Sequence, residues 1–307
     1  MQLGVALPNL GPLADRSLMV QAVARAEDSG LADVWLGDHV AYPLTVPFPH
    51  PSYRGFAIPG DAPILDPLAM LAFVAARTER LRIGTSVLIV PYRHPVLTAR
   101  MMATIDHLSA GRVIFGAGSG WFGEEFAVLG ADFARRGLVT DEYLRLMRAL
   151  WSQESVDFDG LTCAVRDLTL RPRPTGGMPV WIGGESPAAV RRARDLGDGW
   201  QPMNPDPAEF ATHAAALRAA RGTGFTLSVR LIWGGPASDG TTGPAGLPAD
   251  PDLLLDTLRA FAGLGADHAL LTLRASTPRE YLGLLERVCT EVVPVLPEAS
   301  AEPDRDA

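Results

Sequence analysis

Eight short apolar runs alternate with amphipathic stretches of helical length along most of the 307-residue chain. This alternation is typical of parallel strands joined by helices that pack on the sheet. The predicted strands are 3–7, 33–37, 81–89, 112–116, 179–183, 199–203, 226–233 and 268–273. Apolar residues at three- and four-residue spacing predict helices near 16–28, 67–78, 94–109, 139–152, 186–196, 207–221, 251–264 and 278–292.

Eight strand and helix pairs predict a (β/α)8 TIM barrel, with a doubly wound open sheet as the alternative. We expect one barrel domain over residues 1–296, with a flexible tail at 297–307. In a TIM barrel the functional groups lie at the C-terminal ends of the strands. The sequence therefore directs attention to the residues that directly follow each predicted strand.

Three segments are too long for minimal loops, and we expect insertions at the C-terminal face of the barrel, at about 41–65, 153–178 and 234–250. The first carries six prolines and four aromatic residues directly after the second strand. It is either a surface excursion or a stiff loop that covers the mouth of the barrel, and long loops at this face are more often functional. The third is rich in glycine and is expected to be flexible.

Composition excludes several classes of protein. Hydrophobic residues make up 47% of the chain, yet no apolar run approaches the roughly 18 residues that span a bilayer. No basic segment precedes an apolar one at the N-terminus, so we expect a soluble, cytoplasmic protein. The net charge of −8 argues against nucleic acid and anionic membrane as partners. All 27 basic residues are arginines, which excludes a lysine Schiff base and a P-loop lysine.

The two cysteines give no sign of a metal site or a disulfide framework. Cys163 and Cys289 lie far apart and do not form a CxxC spacing. We interpret both as buried thiols and expect no metal.

The stretch WLGDHV places Asp38 and His39 directly after the second predicted strand. Histidine exchanges protons near neutral pH without a large perturbation, and a neighbouring carboxylate influences its charge. An isolated histidine is more often structural, but a position at the end of a barrel strand favours a catalytic role. Asp66, which precedes a proline, is instead predicted to cap a helix.

Two glycine-rich turns are candidate ligand sites. In GAGSGWFGEEF, Gly118, Ser119, Gly120 and Trp121 follow the fourth strand and offer backbone N–H groups, although a tight turn explains them equally well. The stretch is neither a GxGxxG nor a GxxxxGK[ST] motif. In IGTSV, the small residues 84–86 leave space for a flat ligand or form a bulge that closes the barrel.

The stretch WIGGESP predicts a helix N-terminus at the mouth of the barrel. Gly183, Gly184 and Glu185 precede Ser186 as the N-cap and a proline at the first helical position. A helix N-terminus suits a phosphate, but ordinary capping explains the same residues, and the Glu185 carboxylate would repel an anion unless it turned away.

The remaining charged residues in these regions are predicted to make structural ion pairs and helix-end contacts. They are Asp106, Arg112, Arg136, Asp141 and Glu142.

Taken together, WLGDHV, the long stretch from DPLAMLAF to GSGWFGEEF, RGLVTDEYLRLMRALW and MPVWIGGESPAAVRRARDLGDGW resemble the bacterial luciferase-like oxidoreductases. They are most similar to the branch that uses the deazaflavin coenzyme F420. The resemblance runs in collinear order over about residues 1–203 and is only topological beyond them.

The resemblance implies a TIM barrel that binds a flavin-type ring at the strand C-termini. It implies a non-prolyl cis peptide bond between Ser86 and Val87, against one face of the ring. By position, Asp38 and His39 approach the ring edge, residues 118–121 line its polar tail and residues 183–186 hold the tail phosphate.

The resemblance also bears on the substrate. Members that oxidise sugar phosphates carry a glutamate where this chain has Trp121, and they use lysines, which this chain lacks. The aromatic residues Trp35, Trp121 and Phe122 instead favour a flat or apolar substrate.

The leading interpretation is an F420-dependent oxidoreductase that exchanges a hydride with a small organic substrate. His39 is the predicted proton donor or acceptor, and Glu124 is the second candidate. The alternatives are an FMN-dependent luciferase-like monooxygenase and a noncatalytic cofactor-binding protein. A homodimer is expected through the apolar face of the helix at 94–109.

Overall fold

The structure is a computed structural model that describes residues 1–41, 61–234 and 246–296. Within these ranges the strands close into a parallel barrel, because β5, near one end of the strand order, also pairs with β3 at the other end. The barrel strands are β1 (Gln2–Ala6), β2 (Asp33–Leu36), β3 (Arg82–Thr85), β4 (Leu88–Ile89), β5 (Val113–Gly118), β8 (Val180–Gly183), β9 (Gly199–Gln201), β10 (Thr226–Trp233) and β11 (His268–Leu273).

This arrangement confirms the predicted barrel and rejects the open sheet. The predicted strand 81–89 is divided into β3 and β4, which together occupy one position of the barrel. The division falls at Ser86 and Val87, where the peptide bond is cis. The cis bond that the family resemblance implies is therefore confirmed.

Helices surround the barrel. They are α1 (Arg16–Asp28), α2 (Pro67–Ala75), α3 (Pro95–Leu108), α4 (Gly123–Leu129), α5 (Arg136–Ser152), α6 (Pro187–Leu196), α7 (Pro207–Arg221), α8 (Pro251–Gly263) and α9 (Pro278–Arg287). Besides shifts of a few residues at helix ends, two features differ from the prediction. The short helix α4 was not predicted, and the helix predicted over 278–292 ends at Arg287 and continues as a wider π-helical turn.

Several of these helices begin with the same local chemistry. A proline occupies the first turn, and the side chain before it accepts hydrogen bonds from the next N–H groups, as Asp66 does for α2 and Ser186 does for α6. Proline lacks the N–H that a helix start leaves unpaired, and the capping oxygen satisfies others. Both predicted N-caps are confirmed.

The segment 153–178 differs from its prediction. It contains an antiparallel hairpin, β6 (Val156–Asp159) and β7 (Ala164–Leu168). Because it joins the end of α5 to the start of β8, it begins and ends on the N-terminal side of the barrel, not at the expected C-terminal face. Glu142 accepts hydrogen bonds from three backbone N–H groups of the hairpin turn.

The other predicted insertions lie mainly in residues 42–60 and 235–245, outside the described residues, as does the predicted tail at 297–307. Along the described chain, no helix is both long and apolar enough to cross a membrane.

The other charged residues that were predicted to be structural make structural contacts. Asp141 pairs with Arg192, Asp106 accepts the Thr175 N–H, Arg136 donates to backbone carbonyls, and Arg112 donates to four backbone carbonyls and the Thr78 hydroxyl.

Two indole rings fill the barrel interior. Trp35 and Trp181 lie with ring centroids 5.1 Å apart, and both are buried. A Cβ at Gly84 would lie 2.6 Å from the Trp35 ring, and a Cβ at Gly199 would lie 2.7 Å from the Trp181 ring. Gly84 therefore makes room for a core tryptophan, which corrects the prediction of space for a ligand. The buried Trp35 also cannot line a substrate pocket, contrary to the prediction.

The outer surface of α3 carries two apolar side chains. Leu97 and Leu108 are 56% and 66% exposed, and their spacing of three helical turns puts them on one face. This surface matches the apolar face expected for an interface between copies, and the homodimer itself stays a prediction.

The packing around Trp35 predicts that Gly84→Ala is destabilising. The added methyl group meets a rigid, fully buried ring, and overpacking of this kind typically costs about 1–3 kcal/mol of unfolding free energy. Urea denaturation of the cofactor-free protein measures the loss.

Gly263→Ala is the matched control, since nothing lies within 4 Å of its Cβ position at the end of α8. This change should be neutral or gain up to about 1 kcal/mol from helix propensity. Equal stability of the two variants would contradict the packing argument.

Candidate active site

The candidate site lies at the C-terminal mouth of the barrel, where His39 meets a buried carboxylate. The His39 Nδ1 atom lies 2.7 Å from Glu125 Oε2. The Tyr92 hydroxyl donates to the same oxygen at 2.9 Å, and the N–H groups of Val40 and Ala41 donate to Oε1 at 2.6 and 3.1 Å. The side chain of Glu125 is fully buried, and that of His39 is 12% exposed.

These contacts fix the charge of Glu125. Burial alone would raise the pKa of the carboxyl, but its hydrogen bonds, that of His39 above all, lower the pKa below the ordinary value. An ionised carboxylate only accepts hydrogen bonds, so Nδ1 of His39 must carry the proton that it shares with Glu125. When His39 is neutral, its Nε2 atom is therefore the basic nitrogen. Trp121 packs edge-on against the imidazole, with ring centroids 6.0 Å apart.

The structure gives Asp38 a different role from the predicted ring contact. Its two oxygens accept a bidentate pair of hydrogen bonds from Arg93, at 2.6 and 2.9 Å, and Oδ2 also accepts the Ile89 N–H. Arg93 in turn reaches Asp66 at the start of α2. Burial raises the pKa of Asp38 although Arg93 lowers it. The side chain of Asp38 is fully buried, and its hydrogen bonds link the end of β2 to the turn after β4.

The Val87 side chain lies at the mouth of the barrel and packs against two glycines, Gly118 and Gly183. A Cβ at Gly118 would lie 2.4 Å from the Val87 side chain, and a Cβ at Gly183 would lie 2.6 Å from it. These glycines end β5 and β8, so each is required by the approach of Val87. Together they create an apolar floor, and the predicted cofactor contacts of Gly118 and Gly183 stay predictions.

The turn before α6 contains Glu185, whose carboxylate was expected to repel an anion at the helix N-terminus. Its carboxylate accepts a hydrogen bond from the Met203 N–H and so is engaged with the neighbouring loop. Gly184 has a φ of 109°, and its carbonyl accepts the Trp200 indole N–H at 2.9 Å. Ser186 caps the helix by accepting the Ala189 N–H. The N-terminal end of α6 therefore lies at the mouth, and the Glu185 carboxylate before it is engaged by the Met203 N–H.

The remaining predicted residues surround this centre. Ser119 is half-buried after β5, and Gly120 has a φ of 80°, where a Cβ would meet Ile89 and Phe126. Phe122 is buried against Trp121. In the described chain, no group of three His, Cys, Asp or Glu residues is placed to hold a metal ion.

The predicted second catalytic carboxylate, Glu124, is exposed on the first turn of α4, and the structure brings its neighbour to His39 instead. Helical periodicity could have identified Glu125, since it lies three residues after Phe122 and one before Phe126, both buried. Arg93 and Tyr92 were also missed. They lie in the short turn after β4, where no periodic pattern marks the inward-facing residues.

A family model for luciferase-like monooxygenases matches residues 1–237. The chain belongs to this family. Its members are oxidoreductases, and in this chain His39 lies with Glu125 at the C-terminal mouth of the barrel.

Relatives with a stated activity use more than one cofactor. An F420-dependent glucose-6-phosphate dehydrogenase from Amycolatopsis mediterranei is 37% identical over 186 residues, which cover 59% of this chain and only 52% of that enzyme. Among solved structures, an F420-dependent secondary alcohol dehydrogenase has a TM-score of 0.73 at 17% identity, covering 94% of this chain and 97% of that one. An FMN-bound type II Baeyer–Villiger monooxygenase from Pseudomonas putida has a TM-score of 0.72 at 15% identity, covering 96% and 98%. The structural likenesses establish the shared fold.

Glu125→Gln in this luciferase-like protein is predicted to lose about 1–3 kcal/mol of unfolding free energy at pH 7. The NH2 group of the glutamine would face groups that themselves donate hydrogen bonds, so buried donors would be left without an acceptor. The folded pKa of Glu125 lies below its ordinary value of 4.5, so its stabilisation is present above that pH and is lost as the pH falls through the folded pKa. The gap between wild type and variant should therefore shrink below pH 4.5 in thermal unfolding.

Glu124→Gln is the control, and an exposed substitution of this kind should change stability by no more than about 0.5 kcal/mol. A gap between wild type and Glu125→Gln that did not vary with pH would show that the ionised carboxylate is not the stabilising form.

Proposed function

We propose that the protein is a deazaflavin (F420)-dependent oxidoreductase that moves a hydride between the cofactor and a small organic substrate. The observation that carries the proposal is the His39 and Glu125 pair, which holds a titratable group at the mouth beside the apolar floor of Val87. The similarity to an F420-dependent dehydrogenase supports the choice of cofactor.

The residues at the mouth fit such a cofactor. Val87 offers an apolar surface for one face of a flat ring, with Ser119 to Trp121 along its side. The N-terminus of α6 offers a positive dipole end for the phosphodiester of the cofactor tail, and the Glu185 carboxylate is engaged elsewhere. The bound deazaflavin supplies the hydride donor or acceptor carbon.

His39 would exchange the proton that accompanies hydride transfer. Glu125 fixes the orientation of the imidazole and directs the proton exchange to Nε2. An ionised partner also stabilises the imidazolium that forms when Nε2 takes up a proton. This arrangement assigns Glu125 a positioning role behind His39, and leaves Glu124 as an exposed second candidate.

The substrate is proposed to be apolar or aromatic. Trp121 packs on His39 where a substrate would approach it, and the buried Phe122 supports Trp121 without facing the substrate. The chain has no lysine for a sugar phosphate, although one relative is a glucose-6-phosphate dehydrogenase. The alignment with that enzyme spans about half of its length, so its substrate is not carried over.

A binding titration against deazaflavin and FMN tests the cofactor. We expect micromolar or tighter binding of the deazaflavin and much weaker binding of FMN, measured by the fluorescence of each ring. The reverse ranking would favour an FMN-dependent monooxygenase. Tight deazaflavin binding without turnover on varied alcohols, aldehydes and enones would favour a noncatalytic binding protein.

His39→Ala should reduce the single-turnover rate by about 10²–10⁴-fold, the usual contribution of a general acid or base, with little change in deazaflavin affinity. Stopped-flow absorbance of the deazaflavin measures the rate. His107→Ala, in the last turn of α3, is the matched histidine control, and Ser86→Leu should obstruct binding instead. Normal turnover by His39→Ala would reduce His39 to a packing residue.

A further inference from the structure

Five polar side chains cross the barrel interior in one hydrogen-bonded chain, which we call the interior chain. Asp33 Oδ1 lies 2.9 Å from His268 Nε2, and His268 Nδ1 lies 2.8 Å from the Ser228 hydroxyl. Gln201 Nε2 lies 3.3 Å from that hydroxyl, and Gln201 Oε1 lies 2.6 Å from the Ser86 hydroxyl. All five residues are buried, and the proposed chemistry uses none of the first four.

When His268 is neutral, the direction of every bond in the interior chain follows from its lower end. Burial would raise the pKa of Asp33, but its contact with His268, with help from Arg82, lowers the pKa to about 2. The ionised Asp33 also accepts the Trp35 indole N–H at 2.5 Å. Because this carboxylate only accepts, His268 donates from Nε2, and a neutral imidazole then accepts at Nδ1 from the Ser228 hydroxyl.

The same polarity continues to the mouth. With its proton committed to His268, the Ser228 oxygen accepts from the amide nitrogen of Gln201. The amide oxygen of Gln201 then accepts from the Ser86 hydroxyl. The interior chain therefore determines the direction in which the Ser86 hydroxyl points, from the N-terminal ends of β2 and β11 to the C-terminal mouth.

The interior chain does not conduct protons. An amide passes a proton only through an unfavourable imidic acid, so Gln201 interrupts conduction while it preserves orientation. The interior chain can hold a group in place but does not deliver protons to it.

The interior chain ends at Ser86, the residue directly before Val87. The Ser86 N–H donates to the Leu36 carbonyl at 2.8 Å, and the Ser86 carbonyl accepts from Arg230 at 2.8 Å. With its hydroxyl fixed by Gln201, Ser86 is held at three points, and Val87 follows it directly.

We propose that His268, Ser228 and Gln201 are positioning residues that fix Ser86, and through it the Val87 surface against which the cofactor ring packs. This inference rests on the proposed function, since it requires a ring at the mouth. It assigns a role in cofactor affinity to residues that lie below the site and do not reach the reacting atoms.

Ser228→Ala tests the inference, because it removes one hydroxyl from the middle of the interior chain and leaves His39 untouched. Loss of a buried hydrogen bond that strands its partners should weaken deazaflavin binding by about 5- to 10-fold. The single-turnover rate at saturating cofactor should stay within about twofold of wild type, because a lost uniform-binding interaction changes affinity and not rate.

Thr85→Val is the matched control. The Thr85 hydroxyl is also fully buried and donates to the Gly116 carbonyl at 2.7 Å, outside the interior chain. It should lower thermal stability about as much as Ser228→Ala without changing deazaflavin affinity. Equal weakening of binding by both variants, or unchanged affinity of Ser228→Ala, overturns the proposal.

Two measurements do not need the cofactor. Nitrogen-15 NMR of the cofactor-free protein should show His268 as the neutral tautomer protonated at Nε2, with the signal identified by its loss in His268→Gln. A double-mutant cycle on unfolding free energy between Ser228→Ala and Gln201→Leu should show non-additive effects. The other tautomer, or additivity, contradicts the interior chain itself.

The outcomes separate this inference from the proposed function. If wild type binds FMN and not deazaflavin, the proposed cofactor is wrong, and the affinity comparison of Ser228→Ala and Thr85→Val is made with FMN. If wild type binds deazaflavin and Ser228→Ala binds it equally well, only this inference fails. A wild type that binds neither ring overturns both.

Discussion

The mouth of the barrel depends on two buried acidic side chains, and the hydrogen bonds of each are satisfied by donors from other elements. Glu125 on α4 receives His39, Tyr92 and two backbone N–H groups. Asp38 after β2 receives the Arg93 guanidinium and a backbone N–H. A buried charge that lost these donors would cost several kcal/mol, so the contacts hold the end of β2, the turn after β4 and α4 in one arrangement.

Glycine has a second purpose in this barrel besides freedom of the backbone. At Gly118 and Gly183 the absence of a side chain admits Val87, and at Gly84 and Gly199 it admits two indoles. The interior is filled by side chains from neighbouring strands. The glycines in the strands therefore mark the places where another residue intrudes, and a pattern of glycines at strand ends does not by itself indicate a ligand.

The sequence was sufficient for the barrel, because the alternation of apolar periods of two and of three to four is a local signal repeated eight times. Helix caps such as Ser186 and Asp66 could also be predicted from the sequence, because the capping residue and the N–H groups that it accepts are at most three residues apart. The cis bond followed from family resemblance and not from periodicity. Glu125 was missed because α4 has only seven residues, so its buried face was not apparent without recognising the helix.

The contacts of the interior chain below the site could not be predicted from the sequence, for a physical reason. His268 and Asp33 are 235 positions apart and meet only because β11 and β2 flank β1 in the closed barrel. Each appears in the sequence as an isolated polar residue at the start of an apolar strand, where solvent exposure is the simplest interpretation. Only the closure of the barrel reveals that these residues face inward and require partners.

The two sides of the mouth are built to respond differently to substitution. On the His39 side, a titratable group is held by an ionised carboxylate and remains 12% exposed, so it can exchange a proton with a bound molecule. On the Val87 side, the polar groups are buried and committed to one another, and the surface they support is apolar. A group that changes its protonation state during a reaction must reach the ligand, whereas a floor serves best when nothing in it titrates. The barrel separates these requirements by position. The first side is formed at the C-terminal end of β2 and on α4, and the second is supported by β3, β9, β10 and β11 with Asp33 at the start of β2.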